Sequence, residues 1–293
     1  MTAVNPLQLH LPAGSAGADG DSVAVTPERA GWRFTGLRVI DLEPGATRTV
    51  STGSDEMLAL PLEGGCEIEV DGAQFTLAGR RSVFEAVSDF AYLPIDAEAR
   101  LSSPGGATIA LPSARAEQPH EPAYVPAGEV PIEVRGAGRA TRQLTNFFAP
   151  GFGRAERLVA VEVLTPGGNV SSWPPHKHDT ATPGGEAELE EIYYFRFDRP
   201  DAFGLHCTYA PDFDVATRVA HGDVFLVPRG YHGPCVALPG YPMYYLNVLA
   251  GPGAERSLAF SDDPSHEWVR AAWGSEARDP RVPMTSAEGR RLS

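Results

Sequence analysis

Two histidines one residue apart, His176 and His178, precede three clustered acids, Glu188, Glu190 and Glu191, in SSWPPHKHDTATPGGEAELEEIYYFRF, residues 171–197. In a strand, residues i and i+2 share a face, so both imidazoles point one way and Lys177 the other. Two imidazoles on one face suit Zn, Mn, Fe, Co or Ni. A third imidazole ends GDVFLVPRGYH. There a turn at Gly222 leads into an apolar strand that stops at Pro228 and turns through Gly230 to present His232. The strand EEIYYFRF offers the carboxylate. One face carries Glu191, Tyr193, Phe195 and Phe197, the other Glu190, Ile192, Tyr194 and Arg196. The first has more aromatic bulk and suits an interior, which puts Glu191 inside and Glu190 outside or at a seam. The expected metal ligands are His176, His178, Glu191 and His232, with Glu190 replacing Glu191 if the register slips by one. Such a set leaves a divalent ion open positions for water or substrate. Lys177 is the single lysine beside 23 arginines, which reads as an arginine-biased composition rather than as catalysis.

The elements that must hold these residues are strands. The chain has 293 residues with 31 Gly and 27 Pro, and helix-period runs are scarce. Short β-rich segments recur between turn residues, as in GLRVIDLEPG, MLALPLEGGCEIEVDG, RLVAVEVLTPGG and MYYLNVLAG. This predicts an all-β fold of antiparallel barrels or sandwiches with a few short helices. The segment EMLALPLEGGCEIEVDG and the strands after it run in the same order as EEIYYFRF and its successors, which predicts a duplicated β-unit. Residues 1–22 are expected to be a flexible lead-in, 23–130 a first barrel lacking the histidine pair, and 131–293 a second barrel with the metal site. In DDPSHEWVRAAW, Asp263 as cap and Pro264 at the first position predict a C-terminal helix with Trp268, Ala271 and Ala272 on one face.

Composition excludes some functions. A formal net charge of -14 disfavours nucleic acid and anionic membranes as partners. No run of about 18 apolar residues exists to span a membrane, and the N-terminus lacks the regions of a signal peptide. Three scattered cysteines, Cys66, Cys207 and Cys235, argue for a reducing cytoplasm rather than a disulfide framework.

The pattern of HxH, a Glu opening a strand, and G-x5-P-x-G-x-H resembles the two motifs of cupins. The gap between HxH and Glu191 holds twelve residues, DTATPGGEAELE, where cupins commonly have three or four, so an insertion is expected to loop out and fold over the metal. The blocks PPHKHD, LEEIYYFR, GDVFLVPRGYHG, YPMYYLNVLAGP and FSDDPSHEW, with VRGAGRATRQ before them, resemble the 5-deoxy-glucuronate isomerases of bacterial inositol catabolism. His206 in FGLHCTYA departs from that pattern. The resemblance implies a bicupin with one divalent metal ion (Zn, Mn or Fe) in the second barrel. It implies aldose–ketose isomerisation of 5-deoxy-D-glucuronate to 5-dehydro-2-deoxy-D-gluconate through a metal-stabilised enediolate. A base must move a proton between adjacent carbons, and Glu190, Tyr193 and His206 are the candidates beside a metal-bound hydroxide. The substrate carboxylate needs a cation, for which Arg135, Arg142 and Arg229 are candidates. Tyr245 and Asn247 are candidate wall residues. The partner is a small sugar acid, and the first barrel serves as support or as the interface of a homo-oligomer. Alternatives on the same scaffold are a ketol-isomerase for 4-deoxy-5-keto-uronate, a metal dioxygenase and a sugar-acid-binding protein.

Overall fold

Period-two segments of the sequence become antiparallel strands in the computed structural model, which describes residues 9–150, 154–253 and 255–290. Nine strands from Val23–Val25 to Ala123–Val125 make one sheet. Its spine is the long strand Asp55–Val70. The first half of that strand pairs with Phe90–Leu93 and Ala107–Arg115, the second half with Ala73–Arg80 and Glu98–Ser103. Between the halves the register shifts at Pro61/Glu63 and at Gly64/Cys66. Such bulges bend a strand sharply. The bend needs Gly79, whose φ is +65° and where a Cβ would lie 1.8 Å from the Gly64 carbonyl oxygen. The sheet thereby curls over a core that includes Leu58, Leu60, Ile68, Leu101 and Ile109.

The second half builds two facing sheets. One runs, in spatial order, Val224–Val227, Glu190–Phe197, Met243–Ala250, Val159–Thr165, Arg142–Asn146, Ile132–Arg135. The other runs Phe213–Ala220, Phe203–Ala210, Tyr231–Ala237, His176–Lys177, Ser261–Asp262. Their inner faces meet where the Tyr193 ring packs against His206 and His232 of the opposite sheet. The interior face expected for residues 190–197 is thus the one that carries Tyr193. The other face of that strand lies against the first unit. Glu190 accepts hydrogen bonds from the backbone N–H groups of Arg33, Phe34 and Thr35 at 2.7–2.9 Å. The first unit returns the contact. Glu56, near the start of the spine strand, accepts from the N–H groups of Glu156, Arg157 and Leu158 at 2.7–2.9 Å. Each acid-opened strand caps a segment leading into a strand of the other unit.

Two expectations are corrected. Residues 9–22 are tied down rather than loose. His10–Leu11 adds an edge strand to Val224–Val227, His10 Nε2 lies 2.7 Å from Asp223 Oδ2, and Asp21 takes ion pairs from Arg38 and Arg48. The first eight residues lie outside the described ones. The C-terminal helix is only Trp268–Ala272, with Val269 buried and Trp268 66% exposed. Asp263 does accept from the Ser265 N–H at 2.8 Å, but residues 264–267 that follow form turns, and the helix begins only at Trp268. Among the described residues no helix is long and apolar enough to cross a membrane, and Cys66, Cys207 and Cys235 are free.

Candidate metal centre

His176 and His232 sit opposite each other on neighbouring antiparallel strands, with ring centroids 4.5 Å apart. His178 lies one residue beyond the end of its strand, its ring 4.8 Å from His232. Gly230 sets the approach to His232: its φ is +84°, and a Cβ there would stand 2.5 Å from the Tyr209 carbonyl oxygen. Glu191 enters from the facing sheet. One of its oxygens, Oε2, lies 3.1 Å from both His178 Nε2 and His232 Nε2. His178, Glu191 and His232 are buried, and their ligand atoms fall within 4.8 Å of one another. No other such His/Cys/Asp/Glu group occurs among the described residues. His176 stands beside this trio, partly exposed, with its ring also 4.9 Å from Phe260.

Proton positions follow from the partners. A carbonyl oxygen only accepts, so each ring nitrogen facing one carries a hydrogen. His176 Nδ1 lies 3.1 Å from Pro174 O, His178 Nδ1 3.2 Å from Leu189 O, and His232 Nδ1 3.5 Å from Gly230 O. The Nε2 atoms of His178 and His232 both face the Glu191 carboxylate, the arrangement in which backbone carbonyls fix metal-binding imidazoles. The His232 Nε2 atom is buried and has no hydrogen bond of acceptable geometry, despite its 3.1 Å approach to the carboxylate. A bare nitrogen facing an anionic oxygen requires positive charge between them, either a proton or a metal ion. Burial pushes the Glu191 carboxyl up, but the His232 and His178 imidazoles outweigh it and hold it at about 2. Burial, then the neighbouring His232 and His178, pushes His176 well below its usual value. An ionised carboxylate among three directed imidazoles fits a divalent cation.

Behind the cluster lies a polar lining. Tyr193 and Tyr245 stack at 4.9 Å, and both hydroxyls share Ser172 Oγ at 3.1 Å. His206 is fully buried, with Nδ1 3.0 Å from Cys235 Sγ and Nε2 unpaired. Thr208 Oγ1 and Asn247 Oδ1 are likewise buried without partners. Unpaired buried polar atoms are costly and point to a ligand or water. The candidates Tyr193, His206, Tyr245 and Asn247 therefore come together on the inner faces. Glu190 does not; it lies on the outer face, bonded to residues 33–35. Arg229 forks onto Asp212, and Arg135 onto Glu133, on partly exposed ion pairs. Arg142 is buried with no acidic partner.

Sequence reasoning missed Ser172 and the work of Lys177. Ser172 adjoins the HxH segment, but a serine carries no signal of its own, and its φ of +46° is invisible in sequence. Lys177 points away from the ligands as expected, yet it is not idle. Its Nζ bonds Asp179 and Glu186 at 2.7 and 2.9 Å, fastening the start of the inserted loop to its later part. Asp179 also accepts from Gly230 N at 2.7 Å, which links the loop to the turn before His232. The loop lines a cavity of about 610 Å³ together with residues 251–253, 255–257 and Ala259.

Paired curled antiparallel units, with a His/Glu cluster between the sheets of the second, define a cupin fold with a candidate metal centre. The oxalate decarboxylase of Lactobacillus farciminis shares the fold at 12% identity, with a TM-score of 0.62 over 87% of this chain and 88% of that one. The chain belongs to the KduI/IolB family, whose model matches residues 10–269. An IolB-like protein from Salmonella typhimurium LT2 superposes with a TM-score of 0.83 at 34% identity, covering 90% of this chain and 99% of that one. The 5-deoxy-glucuronate isomerase of Geobacillus kaustophilus is 37% identical over 266 residues, 89% of this chain and 95% of that protein. The enzyme of the same name from Bacillus subtilis strain 168 is 33% identical over 84% of this chain and 91% of its own.

Proposed function

We infer that this protein is an aldose–ketose isomerase that converts 5-deoxy-D-glucuronate to 5-dehydro-2-deoxy-D-gluconate in inositol catabolism. The observation that carries the reading is the directed His/Glu cluster inside the second barrel of a chain that matches 5-deoxy-glucuronate isomerases over nearly its whole length. His176, His178, Glu191 and His232 would hold one divalent ion, Zn, Mn or Fe, with positions left for substrate. Such an ion supplies Lewis acidity to the carbonyl and hydroxyl oxygens that gain charge during isomerisation.

The chain's own groups divide by protonation state. Burial pushes the Tyr193 phenol well above its usual range, and Tyr245 follows for the same reason. Both remain protonated and donate hydrogen bonds to sugar oxygens, aligned through Ser172. Burial pushes His206 down to about 3, so its imidazole is neutral. With Nδ1–H given to Cys235, its unpaired Nε2 accepts a hydrogen bond from a substrate hydroxyl. Thr208 and Asn247 take the remaining hydroxyls. The outward-facing Glu190 has no part in this chemistry. Free thiols and an acidic surface support a cytoplasmic protein whose partner is a small sugar acid.

Following 5-deoxy-D-glucuronate by ¹³C NMR tests the reading. The aldehyde-derived signals should give way to one ketone. Turnover of 4-deoxy-5-keto-uronate in its place would assign the protein to the related ketol-isomerases instead.

A further inference from the structure

Arg142 is the one arginine among the three candidates that has no acid to neutralise it. Its residue is 5% exposed, and its guanidinium makes a single hydrogen bond, NH1 to the Ala140 carbonyl at 3.1 Å. The strand register fixes where it faces. Leu144, Val163 and Tyr245 lie opposite one another in one row across three strands. Tyr245 reaches Ser172 in the interior, so the row faces inward, and Arg142, two residues from Leu144, shares that face. Gln143, between them, turns the other way to Thr285.

A cation–aromatic stack connects Arg142 with the histidines. The Arg142 guanidinium lies 5.5 Å from the Trp273 ring, and Arg270 lies 5.1 Å from the same ring and 4.8 Å from Phe260. Phe260 in turn lies 4.9 Å from His176. Asp262 claims Arg270 through a forked ion pair, which leaves Arg142 as the uncommitted cation. The approach of Arg142 is built in: a Cβ on Gly136 would stand 2.9 Å from its NH1.

We propose that Arg142 is the anchor for the carboxylate of the substrate, gripping it on the inward sheet face that also carries Tyr245. The proposal rests on the isomerase reading only in taking a uronate as the ligand. A buried guanidinium without an ion-pair partner is costly, and an entering carboxylate relieves that cost with two parallel hydrogen bonds. A neutral sugar cannot. Burial and the neighbouring Arg135 and Arg270 lower the guanidinium only to about 10, with the Tyr245 phenol and the Glu133 carboxylate opposing the shift, so it stays charged at neutral pH. The site therefore selects acid sugars over neutral ones by charge as well as by shape.

The test compares D-glucuronate with D-glucose, which differ at the carboxylate, by calorimetric binding to metal-loaded protein, together with KM for 5-deoxy-D-glucuronate. Wild type should favour glucuronate by roughly 100-fold, and Arg142→Gln should bring the two sugars within about threefold. KM for 5-deoxy-D-glucuronate should rise roughly 30- to 100-fold in that variant while bound metal per chain is unchanged. Arg142→Lys, which keeps the charge but not the fork, should weaken glucuronate by about tenfold. An unchanged glucuronate affinity in either variant overturns the proposal, and so does a loss of thermal stability alone. Absence of wild-type turnover on 5-deoxy-D-glucuronate would instead sink the isomerase reading, with the sugar-binding comparison still deciding the role of Arg142.

Discussion

Glu191 is the residue on which the centre depends, because it alone supplies negative charge to the cluster. Glu191→Gln keeps the shape and removes the charge. Metal affinity, read by chelator competition, should fall by more than the roughly 10- to 100-fold that loss of a supporting partner costs. His206 makes a second, independent prediction. Its folded value of about 3 lies below the unfolded value near 6.5. The folded state thus resists its protonation, and the associated stability is complete above about pH 6.5. It is lost as pH falls toward 3, at roughly 1 kcal/mol per pH unit. In urea titrations between pH 6.5 and 5, His206→Gln should remove this part of the wild-type slope; parallel slopes would refute the assignment. Most of the candidate cluster was legible in the sequence: alternation along residues 190–197 selects Glu191 over Glu190, and Glu191 meets His178 and His232, while His176 stands beside them. Ser172 and the unpaired state of Arg142 were not legible, because both depend on which neighbours the fold supplies.

The inserted loop between His178 and Glu191 is the element that most departs from a plain cupin motif, and Lys177 is its fastening. Glu186 is buried and takes Lys177 Nζ together with the N–H groups of Asp179 and Thr180. Lys177→Met should loosen the loop. With its side chain 23% exposed, the pair is partly screened, and the expected loss is about 1 kcal/mol. The more telling readout is amide exchange, which should accelerate in residues 179–189 and at Gly230 while the N-terminal sheet is unaffected. Period-two patterning made the strands readable. The C-terminal helix was overdrawn because a capping aspartate and a proline signal a turn equally well, and tertiary contacts claimed the preceding residues for a strand.

The two units are held as one body by reciprocal and buried polar contacts. Arg80 of the first unit forms an ion pair with Glu162 of the second, and Tyr244 donates to the same carboxylate at 2.7 Å. Both partners of the ion pair are buried, at 5% and 2% exposure. Arg80→Met leaves Glu162 without its cation and should cost about 3–5 kcal/mol in denaturant unfolding. Since Glu56 and Glu190 also cross between the units, the loss should appear as one shifted transition rather than as separate melting of the first unit. The acid that opens each of these two strands was visible in the sequence, but its exchange across the units was not, because a strand pattern does not say what covers its outer face. If the His/Glu cluster holds the ion on which isomerisation depends, the decisive measurement is turnover of 5-deoxy-D-glucuronate in protein stripped of metal and then reloaded with one equivalent of Zn, Mn or Fe. Activity should vanish on stripping and return with at least one ion at about one per chain; full turnover by the stripped protein, or none with any of the three ions, would contradict it.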